Sequence, residues 1–169
     1  MTIERLWAGW RGEFVAAAAS SEPGVHACVF CRILSSGEPD SITHVIWRDP
    51  SGAVVAILNA YPYTSGHLMV MPVRHTAELE GLGAAEAGLL MQGLQMAVTA
   101  LKLAYTPDGI NVGANLGKAA GAGVPGHLHL HALPRWVGDT NFMTSVAEAR
   151  VLPESLSVSA DKLRAAWPR

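Results

Sequence analysis

Alternating and periodic apolar positions divide the middle of the chain into strands and helices. The runs 45–49, 53–58 and 67–71 are rich in β-branched and large apolar residues and are bounded by turn-forming residues, which predicts three strands. The run 109–115 predicts another. Between them, apolar residues recur near helical spacing over 76–104, which predicts one long packing helix.

The most regular alternation lies at 127–131, which reads His-Leu-His-Leu-His. In a β-strand, His127, His129 and His131 share one face at intervals of about 7 Å. The opposite face is expected to be buried and consists of Leu128, Leu130 and Ala132. A row of imidazoles can hold a metal, act as a nucleophile, or do both, and such a cluster is seldom only structural.

Two further helical patterns complete the prediction of the fold class. Residues 152–167 predict a C-terminal helix with Pro153 near its first turn. Trp7 and Trp10, three apart, are expected on one side of a helical turn, where they cover the core. No internal repeat or linker is visible, so 1–169 is expected to form one α+β domain. Its helices pack on one antiparallel sheet of about five strands.

Composition narrows the classes of function. Half of the 169 residues are apolar, 15% are charged, and the formal net charge is −2. The chain therefore lacks the basic surface that a nucleic-acid polymer needs, and a nucleotide-sized ligand fits better. No uninterrupted apolar run is long enough to span a bilayer, and the first residues lack the layout of a signal peptide. A cytoplasmic location with no membrane contact is the expectation.

The only two cysteines, Cys28 and Cys31, have the spacing C-x-x-C. In a reducing compartment this spacing indicates a metal site or a redox pair rather than a structural disulfide. A thiol oxidoreductase is the weaker interpretation, because no thioredoxin-like βαβ pattern surrounds the pair.

Residues 127–133 match at every position the motif His-φ-His-φ-His-φ-φ, where φ is apolar, and here the chain resembles the histidine triad family of nucleotide-binding enzymes. The similarity extends to the bacterial branch that includes diadenosine tetraphosphate phosphorylases and hydrolases, through residues 6–11, 28–31, 66–72 and 134–143. The resemblance implies the histidine triad fold and a homodimer. Five Trp and six Met favour such a dimer too, with 76–104 and 109–115 as the expected contact elements.

The resemblance implies catalysis through a covalent nucleotidyl-histidine intermediate. His129 is the expected nucleophile on the α-phosphorus of a bound dinucleoside polyphosphate such as diadenosine tetraphosphate, and His131 the expected hydrogen-bond donor to the leaving group and phosphate oxygens. For His129 to act, one ring nitrogen must be held as N–H so that the other presents its lone pair.

The glycine-rich loop at 117–126 allows backbone amides to approach an anion, and Gly121, Gly123 and Val124 are the expected phosphate contacts there. Many relatives carry a glutamine and a hydroxyl residue in place of Gly123 and Val124, so water and phosphate both stay open as the acceptor. Backbone donors suit a phosphate oxygen, which favours phosphorolysis. The other expected nucleotide contacts are Phe30 and Ile33 around the base, Asn59 at the ribose, Asn115 at the phosphates or leaving group, and His67.

The resemblance also implies structural Zn²⁺. In zinc-bearing relatives the cysteines are joined by the histidine after Pro-x-x, here His75, and by the first triad histidine. The expected ligands are therefore Cys28, Cys31, His75 and His127, a closed tetrahedral set. Such a site would lock His127 and the strand that carries His129.

Two other classes of function stay open. In a metal-dependent hydrolase, His127 and His129 would both ligate a catalytic metal, so replacing His129 would lose metal as well as activity. A nucleotide-binding regulator would keep the pocket and bind without turnover.

Overall fold

The computed structural model describes residues 28–139 and 154–168. The predicted pair Trp7 and Trp10 lies outside these residues, as do Pro153 and the start of the predicted C-terminal helix. The elements follow in the order α1 (Val29–Ser35), α2 (Asp40–Thr43), β1 (Val45–Arg48), β2 (Val54–Leu58), β3 (Leu68–Pro72), α3 (Ala84–Tyr105), β4 (Gly109–Ala114), a 3₁₀ turn (Lys118–Ala120), β5 (Leu130–Arg135) and α4 (Leu156–Ala166).

The five strands form one sheet in the order β1-β2-β3-β5-β4, and every neighbouring pair is antiparallel. The strand that carries the triad, β5, therefore lies between β3 and β4. In its register His131 is opposite Met69 on one side and Gly113 on the other. The predicted α+β class, with five strands, a long helix and a C-terminal helix, is confirmed.

Both faces of the sheet are covered around β2 and β3, which is why these strands are apolar at nearly every position. One face packs on α3 and α4 in a core that includes Val54, Ala56, Val70, Leu94, Leu101 and Leu163. The other face carries a smaller cluster that includes Val55, Ile57, Met69, Met71, Cys28 and Phe30. The site lies on this second face.

Glycine brings α3 close to the sheet at one position. A Cβ on Gly93 would lie 3.0 Å from Cγ1 of Val70 and 3.2 Å from Cζ3 of Trp47. The predicted start of this helix at 76 was wrong, because the helix begins at Ala84. Gly81 and Gly83 stand in the segment that stays non-helical, and glycine disfavours helix.

By length and composition alone α3, with 22 residues, is apolar enough to cross a membrane. One face of it, however, is buried against the sheet of the same chain, with Leu90, Leu94, Ala97, Ala100 and Leu101 inward. This is the packing of a core helix.

The predicted strand at 127–131 needs a correction, since β5 begins only at Leu130. The segment before it has no partner strand among the described residues, yet it continues the predicted alternation. Leu128 and Ala132 are buried in the core beneath α3, and Leu130 packs on that core. The triad histidines point to the opposite face, where the rings of His127 and His129 contact Phe30.

Candidate functional site

The backbone fixes which nitrogen of His129 carries a proton. Nδ1 of His129 lies 2.7 Å from the carbonyl oxygen of His127. A carbonyl only accepts, so Nδ1 carries the proton and Nε2 presents its lone pair. The ring is buried, and this burial lowers the pKa of His129, which keeps the imidazole neutral. This is the protonation state that a histidine nucleophile requires.

A second pair of imidazoles lies beside this ring. His131 contacts His129 edge-on at 4.9 Å between ring centroids. Its Nδ1 lies 2.9 Å from Nε2 of His67. We call His67 and His131 the histidine pair. His67 is fully buried, so it reaches the site only through His131.

The loop between β2 and β3 contacts the histidine pair at Nδ1 of His67, on the side of that ring away from His131. Nδ1 of His67 accepts a hydrogen bond from the backbone N–H of Tyr63 at 3.2 Å, and Nδ2 of Asn59 lies 3.4 Å away. The Tyr63 ring packs against His67, at 4.8 Å, and near His131, at 6.4 Å. Asn59, expected at the ribose, thus has its amide engaged by the protein.

A compact group of four side chains lies next to His129 and is called the metal cluster here. The ligand atoms of Cys28, Cys31, His75 and His127 all lie within 4.8 Å of one another. Nδ1 of His127 is 3.4 Å from the Cys28 sulfur and 3.6 Å from the Cys31 sulfur, and Nδ1 of His75 is 3.3 Å from Cys31. A tetrahedral zinc site has ligand–ligand separations of roughly 3.5 Å, given its usual bond lengths.

Local structure prepares these ligands for a metal. Cys28 caps α1 and Cys31 lies in its first turn, so one turn of helix presents both thiols together. Nε2 of His127 donates to the carbonyl oxygen of Pro72 at 2.8 Å, which leaves Nδ1 as the ligand nitrogen. Burial, together with Cys28, raises the pKa of Cys31 to about 11. A divalent cation would reverse that shift, so the donor set fits zinc.

Two predicted base contacts lie between the metal cluster and the histidines. Phe30 is buried, and its ring contacts His127 at 5.5 Å and His129 at 5.2 Å between centroids. Ile33, one turn further along α1, packs on the same cluster as Phe30. Phe30 is therefore adjacent to His129 and contacts its ring.

The glycine loop is partly closed on itself. The amide of Gly121 donates to Lys118 and that of Ala122 to Gly117, while the Asn115 side chain donates to the carbonyl oxygen of Gly121 at 3.4 Å. Gly121 has a φ of +88°, which glycine adopts without strain. Gly121 and Asn115 therefore shape the loop.

Further along, the loop leaves amides available to an anion. Within the described residues, the backbone N–H groups of Gly123, Val124 and Gly126 donate to no protein acceptor. The Val124 side chain packs on the smaller apolar cluster. The Arg135 side chain donates to Asp139 and to Asn111, each at 2.8 Å.

Sequence reasoning missed the backbone partners of the histidines. The carbonyls of Pro72 and His127 and the amide of Tyr63 decide the tautomers of three rings. Main-chain groups leave no trace in residue types. The nearest signal is the sequence Tyr-Pro-Tyr at 61–63, which forms part of the loop between β2 and β3.

Comparison with known proteins decides the family. The model of the HIT domain matches residues 39–137, more than half of the chain. The chain belongs to the HIT domain family. Among solved structures of this family, a Zn-bound histidine triad protein from Mycobacterium smegmatis has a TM-score of 0.64 and 35% identity, covering 85% of this chain and 94% of that one. A Hit-like protein from Bartonella henselae, at 24% identity, shares the fold with a TM-score of 0.67, covering 87% of this chain and 98% of that one.

Two relatives within the HIT family have names that state an enzymatic activity. The AP-4-A phosphorylase of Mycobacterium tuberculosis is 37% identical over 171 residues, which cover 99% of this chain and 86% of that protein. A bis(5'-adenosyl)-triphosphatase of Saccharomyces cerevisiae is 37% identical over 89 residues, covering 50% of this chain and 43% of that protein.

Proposed function

We propose that this HIT protein is a nucleotidyl transferase acting on dinucleoside polyphosphates such as diadenosine tetraphosphate, through a nucleotidyl intermediate on His129. One observation carries the proposal. The hydrogen bond from Nδ1 of His129 to the His127 carbonyl leaves a neutral ring with its lone pair on Nε2. His131, beside it, supplies a ring N–H for the phosphate oxygens or the leaving group.

The two other classes of function have less support. In the described part of the chain, the group of residues able to hold a metal includes His127 but not His129, so a metal bound by both histidines is not favoured. A regulator without turnover would not need His129 in one fixed tautomer. Similarity to a protein named AP-4-A phosphorylase over nearly the whole chain also favours an enzyme.

We propose one structural zinc ion, held by the metal cluster. The ligand spacing and the Zn-bound relative support it. Zinc would join α1 to the segment before β5 and so fix His127, whose carbonyl orients His129. The metal would contact no substrate in this role, because its four protein ligands complete a tetrahedral set.

For the acceptor we propose phosphate rather than water. The amides of Gly123, Val124 and Gly126 offer donors to an anion, and the positions of Gly123 and Val124 carry no polar side chain to place a water. The name of the mycobacterial relative supports the same choice. Lys118, in the same loop, is proposed to add positive charge for the phosphate. The expected products from diadenosine tetraphosphate are ADP and ATP.

We also propose a homodimer in the cytoplasm, with 1–169 forming one domain. The edge strand β4 exposes Val112, and α3 exposes Met91 and Leu103, so apolar surface is present on both expected contact elements. Light scattering at micromolar concentration should give twice the chain mass, and a monomer would reject the dimer.

Product analysis tests the function. Purified protein is incubated with diadenosine tetraphosphate, with and without inorganic phosphate, and products are separated by chromatography. ADP and ATP that form only with phosphate support the proposal, while AMP at the same rate in both samples would make the protein a hydrolase. Because His44 lies outside the site, His44→Asn serves as the control for His129→Ala; no cleavage by wild type would reject the substrate class.

A further inference from the structure

The metal cluster contains every thiol of the chain. Cys28 and Cys31 are the only two cysteines among the 169 residues, so a disulfide within one chain can form between these two alone. Both are free thiols in this structure, and their sulfur atoms lie within 4.8 Å of each other. The proposed zinc ion would use both sulfurs as ligands. How the pair responds to an oxidant is a separate property.

The backbone of α1 allows this disulfide without rearrangement. Cys28 is the N-cap residue of α1, and Cys31 lies in the first turn of that helix. Residues three apart along a helix have α-carbons about 5 Å from each other. A disulfide joins residues whose α-carbons are roughly 4.4–6.8 Å apart. Rotation of the two side chains is therefore enough to bring the sulfurs to bonding distance.

The two cysteines differ in exposure, which gives their sulfurs different roles in an oxidation. Cys28 is 6% exposed and belongs to the smaller apolar cluster. Cys31 packs against that cluster but is partly exposed. A dissolved oxidant therefore reaches the sulfur of Cys31 first. An accessible thiolate with a second thiol beside it is the arrangement in which oxidation ends in a disulfide.

We propose that Cys28 and Cys31 form an oxidation site for hydrogen peroxide, at which disulfide formation releases the zinc ion; the release rests on the proposed zinc site. The Cys31 thiolate attacks one peroxide oxygen, the O–O bond breaks, and a sulfenic acid and hydroxide form. The Cys28 thiolate then attacks the Cys31 sulfur, which forms the S–S bond and displaces a second hydroxide. Two protons from solvent convert both hydroxides to water. The sulfurs lose two electrons, the peroxide gains them, and zinc stays Zn²⁺.

Oxidation would also separate α1 from the segment that leads into β5. His75 and His127 alone are too few ligands for a tetrahedral zinc site, so the metal link between α1 and that segment is lost. Phe30, which precedes Cys31 in α1, contacts the ring of His129 at 5.2 Å between centroids. The support of that ring therefore depends on the position of α1. Nucleotide cleavage should fall on oxidation and recover on reduction.

The experiment treats the full-length, zinc-loaded protein with hydrogen peroxide. A chromogenic chelator measures free zinc, and mass spectrometry of the digested protein measures the disulfide between Cys28 and Cys31. We expect zinc release to match disulfide formation, and kcat/KM for diadenosine tetraphosphate to fall by about tenfold or more. A dithiol reductant with added zinc should restore both. Disulfide formation with zinc retained, zinc release with both thiols reduced, or unchanged kcat/KM in the oxidised protein would overturn the inference.

Two single variants separate the roles of the sulfurs. Cys28→Ser and Cys31→Ser each remove one zinc ligand, so each is the control for the other. After peroxide, a dimedone probe should capture sulfenic acid on Cys31 in Cys28→Ser, at about tenfold or more the yield on Cys28 in Cys31→Ser. Equal capture, or preference for Cys28, would overturn the inference.

The wild type keeps the inference testable if a variant does not fold, because brief peroxide treatment with the probe present marks the attacking sulfur. Capture on Cys31 supports the inference, and capture on Cys28 overturns it. Wild-type protein without zinc would instead overturn the zinc site, and absence of nucleotide cleavage before oxidation would overturn the proposed function. In both cases the disulfide and the captured sulfur still decide whether this is an oxidation site.

Discussion

The metal cluster and the proposed catalytic site around His129 hold neighbouring histidines in opposite tautomers. In the metal cluster, His127 donates from Nε2 to the carbonyl of Pro72 and turns Nδ1 toward the two sulfurs. Two residues on, His129 donates from Nδ1 to the carbonyl of His127, and Nε2 keeps the lone pair. The residue type is the same, and the side of the ring that is available for chemistry differs.

Main-chain carbonyls therefore determine which nitrogen of each ring carries the proton and which is available for chemistry. Pro72 ends β3, so its carbonyl is positioned by the sheet, whereas the carbonyl of His127 lies in the segment that leads into β5. The two regions are also coupled, because His127 belongs to the metal cluster through its ring and to the catalytic site through its carbonyl.

The largest effect is expected from His129→Ala. It removes the proposed nucleophile, so kcat should fall by at least about a thousandfold. Zinc content, measured by elemental analysis, should stay at the wild-type level, because His129 is not a ligand. Loss of zinc along with activity would favour the alternative in which His127 and His129 both ligate a catalytic metal. The metal cluster and the site around His129 would then be one site.

Cys31→Ser should act on stability first. The protein should contain about one zinc per chain, and this variant should bind it much more weakly. If free zinc exceeds the dissociation constant a thousandfold, lost binding lowers the free energy of unfolding by about 4 kcal/mol. Thermal unfolding and elemental analysis measure this, with Ser35→Ala, one turn along α1, as the control. Zinc-free wild-type protein from zinc-replete medium would contradict the assignment.

Gly66→Ala tests the support of the histidine pair. Gly66 has a φ of +80°, and a Cβ there would lie 2.6 Å from Cε2 of Tyr105. The overlap and the backbone strain should cost about 3 kcal/mol. Gly52→Ala has nearly the same φ, +75°, with open space around the Cβ, so it should cost only about 1 kcal/mol. Equal losses in chemical denaturation would show that Tyr105 does not constrain this loop.

The smallest effect concerns pH. Because the pKa of His67 is lowered to about 3, the unfolded chain binds more protons than the native one at pH values below about 6.5. Stability is therefore lost as pH falls, by about 1.5 kcal/mol from this residue between pH 6.5 and 5. His67→Gln should remove the contribution of His67 to the pH dependence of the free energy of unfolding. Any loss of zinc at low pH affects the wild type and this variant alike. If the variant is unstable, NMR titration of wild-type His67 should show no protonation above pH 4 or so; protonation near pH 6 would contradict the prediction.

The pattern of apolar and polar side chains predicted the sheet and its helices, because both form where apolar side chains are buried together. The apolar runs became β2 and β3, and the alternation at the triad placed Leu128 and Ala132 in the core. Pattern alone did not predict the start of α3 or of β5, since glycine and strand pairing decide those boundaries. Cys28, Cys31, His75 and His127 were brought together as the resemblance implied.

Roles that depend on main-chain groups were beyond the sequence. Asn59 stays predicted at the ribose, and its amide also contacts Tyr61 and His67. Gly121 stays a predicted phosphate contact, and its amide also donates to Lys118. These contacts within the protein depend on where a backbone N–H or carbonyl points, which follows from the folded path of the chain and not from residue type.

We propose that Nε2 of His129 attacks phosphorus while the ring keeps its proton on Nδ1. The most direct measurement is to trap the intermediate by rapid acid-free denaturation during turnover of diadenosine tetraphosphate, digest it, and locate the adduct by mass spectrometry and ³¹P–¹⁵N correlation. We expect one nucleotidyl group on His129, bonded to Nε2. An adduct on another residue or on Nδ1 of His129, or turnover with no adduct in a single-turnover time course, would contradict it.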